Sequence, residues 1–443
     1  MNGFPRRALH AAMVSTMLLV VPLVSAPPAT AAPREFFVSS ESGSDTNDGR
    51  SAAAPFKTIQ KAADSTLPGD TVLIMNGTYG DINREGVVQI SRSGSPGKVI
   101  TYRPHPGHDP VIAPKTGWNG ILIVGASYIK ITGLKVRGDS DNLTLEDAEA
   151  GSKPSGPAFN TNCIFARKDA ETGRSPHHIT IRGNHVWDCP GSGIAAVGSD
   201  HVTIDYNQVH SNSWYSTYAT SGISVFHPVN ADDYTGHKIF VRNNTVFDNE
   251  AKIKWHACDC YSDGNGIIVD DTLHRQDDDP AYTGRVLVEN NLSFNNGGSG
   301  IHAYSSSGVD ILNNTAYMNS RGRGINWPNI GAWDSKDVKV LNNVSVARAG
   351  KETNFSHGNE NVVYDHNIYY GGLAPRVTGP NDRVTDPELV APGLDPWDSD
   401  FRPSAGSPAI DSGTETITEI DRDGVTRPQG AGWDRGAYEY ATP

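Results

Sequence analysis

Long apolar runs are nearly missing from this chain. Outside residues 13–24, no stretch is long and apolar enough to cross a bilayer as a helix, so no membrane-embedded protein is expected. Basic residues are outnumbered as well: Lys and Arg total 37, Asp and Glu 50, and the net charge is −13. A chain this acidic lacks the basic patches that phosphate binding needs, so nucleic acid is not an expected partner. Cysteines are few, namely Cys163, Cys189, Cys258 and Cys260. Four cysteines allow three pairings, and the sequence leaves them open. Cys258 and Cys260 stand two apart, a spacing that strains a mutual bridge, and no His/Cys set accompanies them to build a zinc site.

The one apolar run has a clear place. Arg6 and Arg7 form a basic start, residues 13–24 an apolar middle, and Ala29-Thr30-Ala31 a small-residue cleavage site. Residues 1–31 therefore read as a secretory signal peptide. A secreted, extracellular monomer is expected, in a compartment that permits disulfides. Its acidity is compatible with calcium, which prefers oxygen ligands.

Repeats decide the fold. An asparagine followed by a small or β-branched position recurs at Asn184, Asn207, Asn244, Asn291, Asn314, Asn343 and Asn367. The spacings are 23, 37, 47, 23, 29 and 24 residues, and the shortest define one coil. Each coil carries a short strand such as Val202-Thr203-Ile204 or Val286-Leu287-Val288, then the asparagine, then a strand beginning Gly-Ile. Short β-branched strands parted by Asn and Gly turns suit a parallel β-solenoid, whose stacked asparagines can form a ladder. Each coil buries its inward residues only against its neighbours, so one long all-β domain is expected. Its parts are a cap and first coils at 34–115, central coils at 116–372 and a closing segment at 373–443.

The opening residues 36–49, a short helix near residues 55–62 and the strand Gly69-Asp70-Thr71-Val72-Leu73-Ile74 through Gly77-Thr78-Tyr79 resemble the entry of right-handed parallel β-helix proteins. With the coil pattern, the chain resembles the pectate-lyase-like superfamily over most of residues 34–443. That resemblance implies a right-handed helix with an N-terminal capping helix. It also implies a secreted carbohydrate-active protein, since the superfamily holds lyases, glycosidases, epimerases and non-enzymatic adhesins. The polygalacturonase and epimerase motif sets are absent, and the carboxylate cluster described next is only loosely similar to that of the calcium-plus-lysine lyases.

Longer coils mark a cleft. Extra residues fall at 226–237, at 250–265, at 272–283 and around Trp327 and Trp333. Insertions on successive coils stack on one side of a solenoid, often the binding face. The Gly-Ile strands align as Gly193-Ile194, Gly222-Ile223, Gly266-Ile267, Gly300-Ile301 and Gly324-Ile325, with Cys163-Ile164 one coil earlier. Strand side chains alternate. If each Ile points inward, Asp270 points outward between Phe226 and Tyr304, with coils about 4.8 Å apart. Asp271 and His227 follow at the turn, and His302 lies two residues before Tyr304. Trp327 fits its inward slot poorly.

The catalytic candidates are Asp263, Asp270, Asp271, His302, Lys252, Lys254 and Arg167. Adjacent carboxylates raise each other's pKa, which suits acid/base work. Asp263, Asp270 and Asp271 are also the metal candidates, with calcium the expected ion if one is bound. Phe226, His227, Tyr304, Trp255 and Trp327 are candidates for holding sugar rings. Asp232-Asp233 and residues 277–279 read as solvated acidic loops, with calcium as the alternative. The leading expectation is a lyase that cleaves an acidic polysaccharide by calcium-assisted β-elimination, with a base among Lys252, Lys254 and Arg167. The alternatives are a glycoside hydrolase that pairs Asp263 with Asp270 or Asp271, and a glycan-binding protein without catalysis.

Overall fold

From Glu35 onward the repeats stack into three long parallel sheets, in a computed structural model that describes residues 1, 3, 32–275 and 279–441. The expected signal at residues 1–31 lies almost wholly outside the described residues. Residues 33–443 form one unit. Two of the sheets have eleven strands and the third has nine. Every strand in them pairs with one a full coil away, so each sheet runs the length of the solenoid. The helix expected near residues 55–62 runs Ile59–Ser65, capped by the Thr58 hydroxyl, which accepts from the Lys61 N–H. Its Ile59, Ala62 and Ala63 are buried against the first coils.

The asparagines do what their spacing implies. The side-chain amide of Asn184 donates to Asn207 Oδ1 at 3.0 Å, and the pattern repeats through Asn244, Asn291, Asn314 and Asn343 to Asn367. A second ladder, not foreseen, runs at the next corner through Asn212, Asn249, Asn296, Asn319 and Asn329. Both ladders are buried, and each amide also feeds a backbone carbonyl of the coil before. A corner thus sealed satisfies groups that would otherwise cost free energy inside the solenoid.

The glycines Gly193, Gly222, Gly266 and Gly300 answer to this second ladder. A Cβ on Gly266 would lie 2.1 Å from Ser293 Oγ and 2.6 Å from the Gly300 carbonyl. Only glycine lets the next coil come that close.

The expected register holds for Ile164, Ile194, Ile223, Ile267 and Ile301, which pair in sequence. It fails at the next coil. Ile301 pairs with Ile330, not Ile325, so Gly324-Ile325 is not the strand. The strand is Ile330–Trp333, and Asn329 stands where glycine was expected. The reason is the ladder: Asn329 Oδ1 accepts from the Asn319 amide at 2.8 Å and completes the corner. Trp327 therefore sits in a loop, and Trp333 takes the outward place beside Tyr304.

The tail folds back along the first asparagine corner. Arg422 donates to the Asn244 carbonyl and Arg435 to the Asn367 carbonyl. Arg427 pairs with Glu439 at 2.7 Å with both side chains buried. Phe401 packs on Phe294, ring centroids 5.3 Å apart.

Candidate functional site

The nine-stranded sheet, which holds the Gly-Ile pairs, is the floor of the site. Most of its strands leave through one residue in the left-handed region. Gly198, His227, Asp271, Ser305 and Asp334 all have φ between 48 and 58°. Asp and His accept that conformation better than most side chains. This one-residue corner is why two acids stand together: Asp270 ends the strand pointing out, and Asp271 makes the turn.

The strand pairing puts Phe226, Asp270, Tyr304 and Trp333 in one outward column on four successive coils. Ile268, His302 and Gly331 form the column beside it. Inserted loops flank both edges. Residues 250–265 and 321–329 enter the floor strands. Residues 227–236, 271–275 and 279–284 leave them, clipped together where Asn230 bonds to Ala281 and Thr283.

Asp263 comes from the entering wall. Its carboxylate accepts from Ser262 Oγ at 2.8 Å, Asn265 Nδ2 at 2.9 Å and Ser221 Oγ at 3.5 Å. Burial still pushes its pKa above the usual carboxylate value, against those hydrogen bonds. Asp270 is harder pressed. Its Oδ1 is sealed from solvent with no hydrogen-bond partner. Burial first, then the charges of Asp263 and Asp271, push it up to about 8. At neutral pH it carries a proton. Asp271 is fully buried and differently employed: one oxygen accepts from the Arg275 N–H at 2.9 Å, the other pairs with His227 Nδ1 at 3.0 Å. His227 in turn stacks on His274 at 3.7 Å.

His302 is not an exposed rung. It is 3% exposed, stacked on Trp333 at 4.4 Å, and burial pulls its pKa to about 3, so it is neutral. Trp333 also stacks on Trp327 at 5.8 Å, lies 5.8 Å from Tyr304 and meets Phe355 edge-on. Trp327 is 37% exposed. The register error hid Trp333 from sequence reasoning, although its place in an aromatic-rich insertion was visible.

The basic candidates lie elsewhere. Lys252 sits 3.3 Å over the Trp214 ring, and burial lowers its pKa. Lys254 pairs with Asp259 in an exposed tip that Cys258–Cys260 closes, and Trp255 starts that tip. Arg167 lies 3.7 Å from Glu85, three coils before Asp270 and so about 14 Å away. None of the three is among the charges that set the pKa of Asp270. The second disulfide, Cys163–Cys189, is buried and joins neighbouring coils.

Calcium takes six to eight oxygen ligands. Asp271 spends both carboxylate oxygens on protein partners, and one oxygen of Asp270 is sealed. The trio Asp263, Asp270 and Asp271 is therefore short of donors and does not fit such an ion. Another acidic group does bring ligand atoms within 4.8 Å of one another: Asp200, His201 and Asp232. There the Lys238 ammonium already stands 2.8 Å from Asp200 and 3.3 Å from Asp232. A groove of about 700 Å3 lies towards the N-terminal coils, lined by Tyr128, Lys168, Arg174, His177, Asn230 and His274 among others. Its lining includes neither Asp263 nor Asp270.

Comparison with known proteins agrees with this architecture. Residues 36–175 match the family described as "Pel9A-like, right handed beta helix region", and residues 119–277 match "Right handed beta helix region". The uncharacterized protein YwoF of Bacillus subtilis is 22% identical over 404 residues, covering 76% of this chain and 80% of YwoF. The crystal structure of pectate lyase Pel9A superposes with a TM-score of 0.52 at 16% identity, covering 93% of this chain and 98% of that one. A lacto-N-biosidase of family GH136 from Eubacterium ramulus reaches a TM-score of 0.45 at 14% identity, covering 80% of this chain and 67% of that one. That second likeness is too remote to carry an argument. By its coils, its corners and its cap, the chain is a right-handed parallel β-helix, similar over residues 36–175 to the Pel9A-like family and over residues 119–277 to the right-handed β-helix family.

Proposed function

We propose that the protein is a glycoside hydrolase, with Asp270 as the proton donor and Asp263 as its ionised partner. One observation carries the reading: two carboxylates at one site, both raised by burial, differ in their hydrogen bonds and charged neighbours. Asp263 accepts three hydrogen bonds, which favour its charged form. Asp270 has a sealed, unpartnered oxygen and two acidic neighbours, which favour its neutral form. A pair in which one carboxyl is hydrogen-bonded and the other unpartnered beside like charges suits an acid and its partner. The carbohydrate-active character of the superfamily supports the same choice of substrate, a polysaccharide or oligosaccharide.

In the reaction, the Asp270 proton passes to the glycosidic oxygen as the bond from that oxygen to the anomeric carbon breaks. The Asp263 carboxylate either bonds to the anomeric carbon, after which water that gives its proton back to Asp270 displaces it, or takes a proton from water that attacks the anomeric carbon directly. The first course retains the anomeric configuration and the second inverts it. Tyr304, Phe226 and the Trp333 stack border the reacting ring.

The lyase reading has less support. β-Elimination needs a base for the proton beside a uronate carboxyl and a cation to draw charge from that carboxyl. Lys252, Lys254 and Arg167 each have a partner away from Asp270, and the acids beside it fit calcium poorly. The test is a panel of neutral and uronic-acid glycans, with reducing ends and ultraviolet absorbance followed with and without chelator. Reducing ends without new absorbance, indifferent to chelator, are expected. Asp263→Asn and Asp270→Asn should each lower kcat by at least about 100-fold. Unsaturated product that disappears with chelator would overturn the hydrolase and restore the lyase.

A further inference from the structure

The substrate side of the floor has an unexpected sign. The charges acting on the Tyr304 hydroxyl are Asp334, Asp270 and Asp271, against one cation, Arg275. Asp263 adds a further carboxylate beside Asp270. With Asp270 protonated, a uronate laid across this column would still meet the carboxylates of Asp334 and the buried Asp271, against the one cation Arg275. Like charges at close range in a partly dry site cost several times what they cost in water.

The same column offers an apolar surface instead. Trp327 and Trp333 lie nearly parallel, 18° apart, and Trp333 continues at 9° onto His302. The far end of this stack is open, since Trp327 is 37% exposed while His302 is buried. Its loop is held in place rather than loose: Lys351 donates to the Ile325 carbonyl, and Arg323 lies 5.6 Å over the Tyr261 ring. Tyr261 stands two residues before Asp263, so the loop bearing Trp327 and the loop bearing Asp263 brace each other. An exposed indole held flat beside a catalytic pair is suited to the face of a sugar ring, where several C–H bonds point one way. Aromatic stacking of this kind is worth more when the ring is already fixed, because little entropy is lost on binding.

We propose that the protein takes neutral glycans, and that a pyranose next to the scissile bond stacks on the Trp327–Trp333 platform. This rests on the hydrolase reading for its site but not for its test. The chain of sugars then runs along the solenoid axis, from Trp327 past Tyr304 to Asp270, towards Phe226 on the preceding coil. The carboxylates of Asp271 and Asp334 at the corners beside the column disfavour a carboxylate at C6, and the platform accepts the apolar face of a ring that carries CH2OH there.

The experiment uses the full mature chain with Asp270→Asn, so that binding is read without turnover. It is offered a glycan array that includes oligogalacturonides and the same oligosaccharides with their carboxyls reduced to CH2OH. Binding is expected among neutral glycans, with quenching or a blue shift of tryptophan fluorescence. Trp327→Ala should weaken that binding about tenfold, and Trp333→Phe should weaken it less. Both variants should keep the parental melting temperature within a few degrees, since Trp327 is exposed and Phe keeps a ring at residue 333. Binding confined to uronate-bearing glycans, no glycan binding at all, or neutral binding untouched by both tryptophan changes would each overturn the proposal. Neutral binding by Asp270→Asn without any cleavage by the wild type would leave the platform standing and remove the hydrolase instead.

Discussion

Asp263 and Asp270 are seven residues apart on one strand and its entry, yet only Asp263 has its carboxylate fully hydrogen-bonded. Asp270 keeps its proton because burial and two acidic neighbours push it up to about 8. Activity should therefore fall on the alkaline side near pH 8, as Asp270 ionises and the acid is lost. The acidic limb belongs to Asp263, which burial also raises, so it should lie above the ordinary carboxylate range near 4. Asp271→Asn removes one of the charges that hold the Asp270 proton. The alkaline limb should then move down by about half a unit to one unit. A pH profile of kcat/KM for both proteins checks this; an unmoved limb would mean that Asp271 does not tune the acid.

Stability should respond in the opposite sense. The folded pKa of Asp270 lies above its unfolded value near 4. Its contribution is thus present in full below pH 4 and lost as pH rises through about 8. Asn imitates the protonated side chain and ionises at no pH. Asp270→Asn should be as stable as the wild type near pH 4 and more stable above pH 8, by on the order of a few kcal/mol. Thermal melts of the two proteins from pH 4 to 9 read the difference directly. An inactive variant that gains stability at alkaline pH would show that the site holds this acid at a cost.

The sequence was legible where residues repeat. The inward isoleucines Ile194, Ile223, Ile267 and Ile301 and the ladder from Asn184 to Asn367 follow from period and residue type alone. From them came the neighbours of Asp270, namely Phe226 and Tyr304. The repeat misled at its exception: Gly324-Ile325 matches the motif, but Asn329-Ile330 forms the strand because Asn329 itself closes the second ladder where the earlier coils have glycine. Trp333 went unassigned for the same reason. Through-space contacts left no linear trace either. Nothing in the sequence places Lys252 on Trp214, buries His302 under Trp333, or pairs Cys163 with Cys189.

Lys238 gives a prediction about metals. Its ammonium is buried against Asp200, whose carboxylate also accepts from Tyr282 and from the Ala231 N–H. With the lysine in place, the acids Asp200 and Asp232 are already compensated. Chelator should leave the melting temperature of the wild type unchanged, and added calcium should not raise it. Lys238→Met should destabilise by about 3–5 kcal/mol, because Asp200 would remain buried without its counter-charge. Denaturant unfolding measures the second effect. A wild-type melt that drops on chelation would show a resident ion, with Asp200, His201 and Asp232 as its first candidate ligands.

The asparagine ladder should be cooperative across coils rather than local to one. Asn291 sits inside it: its amide donates to Asn314 Oδ1 and to the Val241 carbonyl, while its own Oδ1 accepts from the backbone and side chain of Asn244. All three asparagines are buried. Asn291→Ala therefore takes the acceptor from the Asn244 backbone and side-chain N–H groups and a donor from the Val241 carbonyl, all on the coil before, and leaves Asn314 Oδ1 only the backbone N–H of residue 291. A loss of roughly 3 kcal/mol is expected. The exposed Asn361, whose amide bonds only to Asp337 at the surface, is the matched control, and Asn361→Ala should stay within about 0.5 kcal/mol. Hydrogen exchange should separate the two further. In Asn291→Ala, protection should fall at the Asn244 and Asn314 corners as well as at residue 291, because each rung orders the next. Exchange that rises only at residue 291 would mean that the coils hold themselves by their isoleucines and that the ladder merely fills the corner.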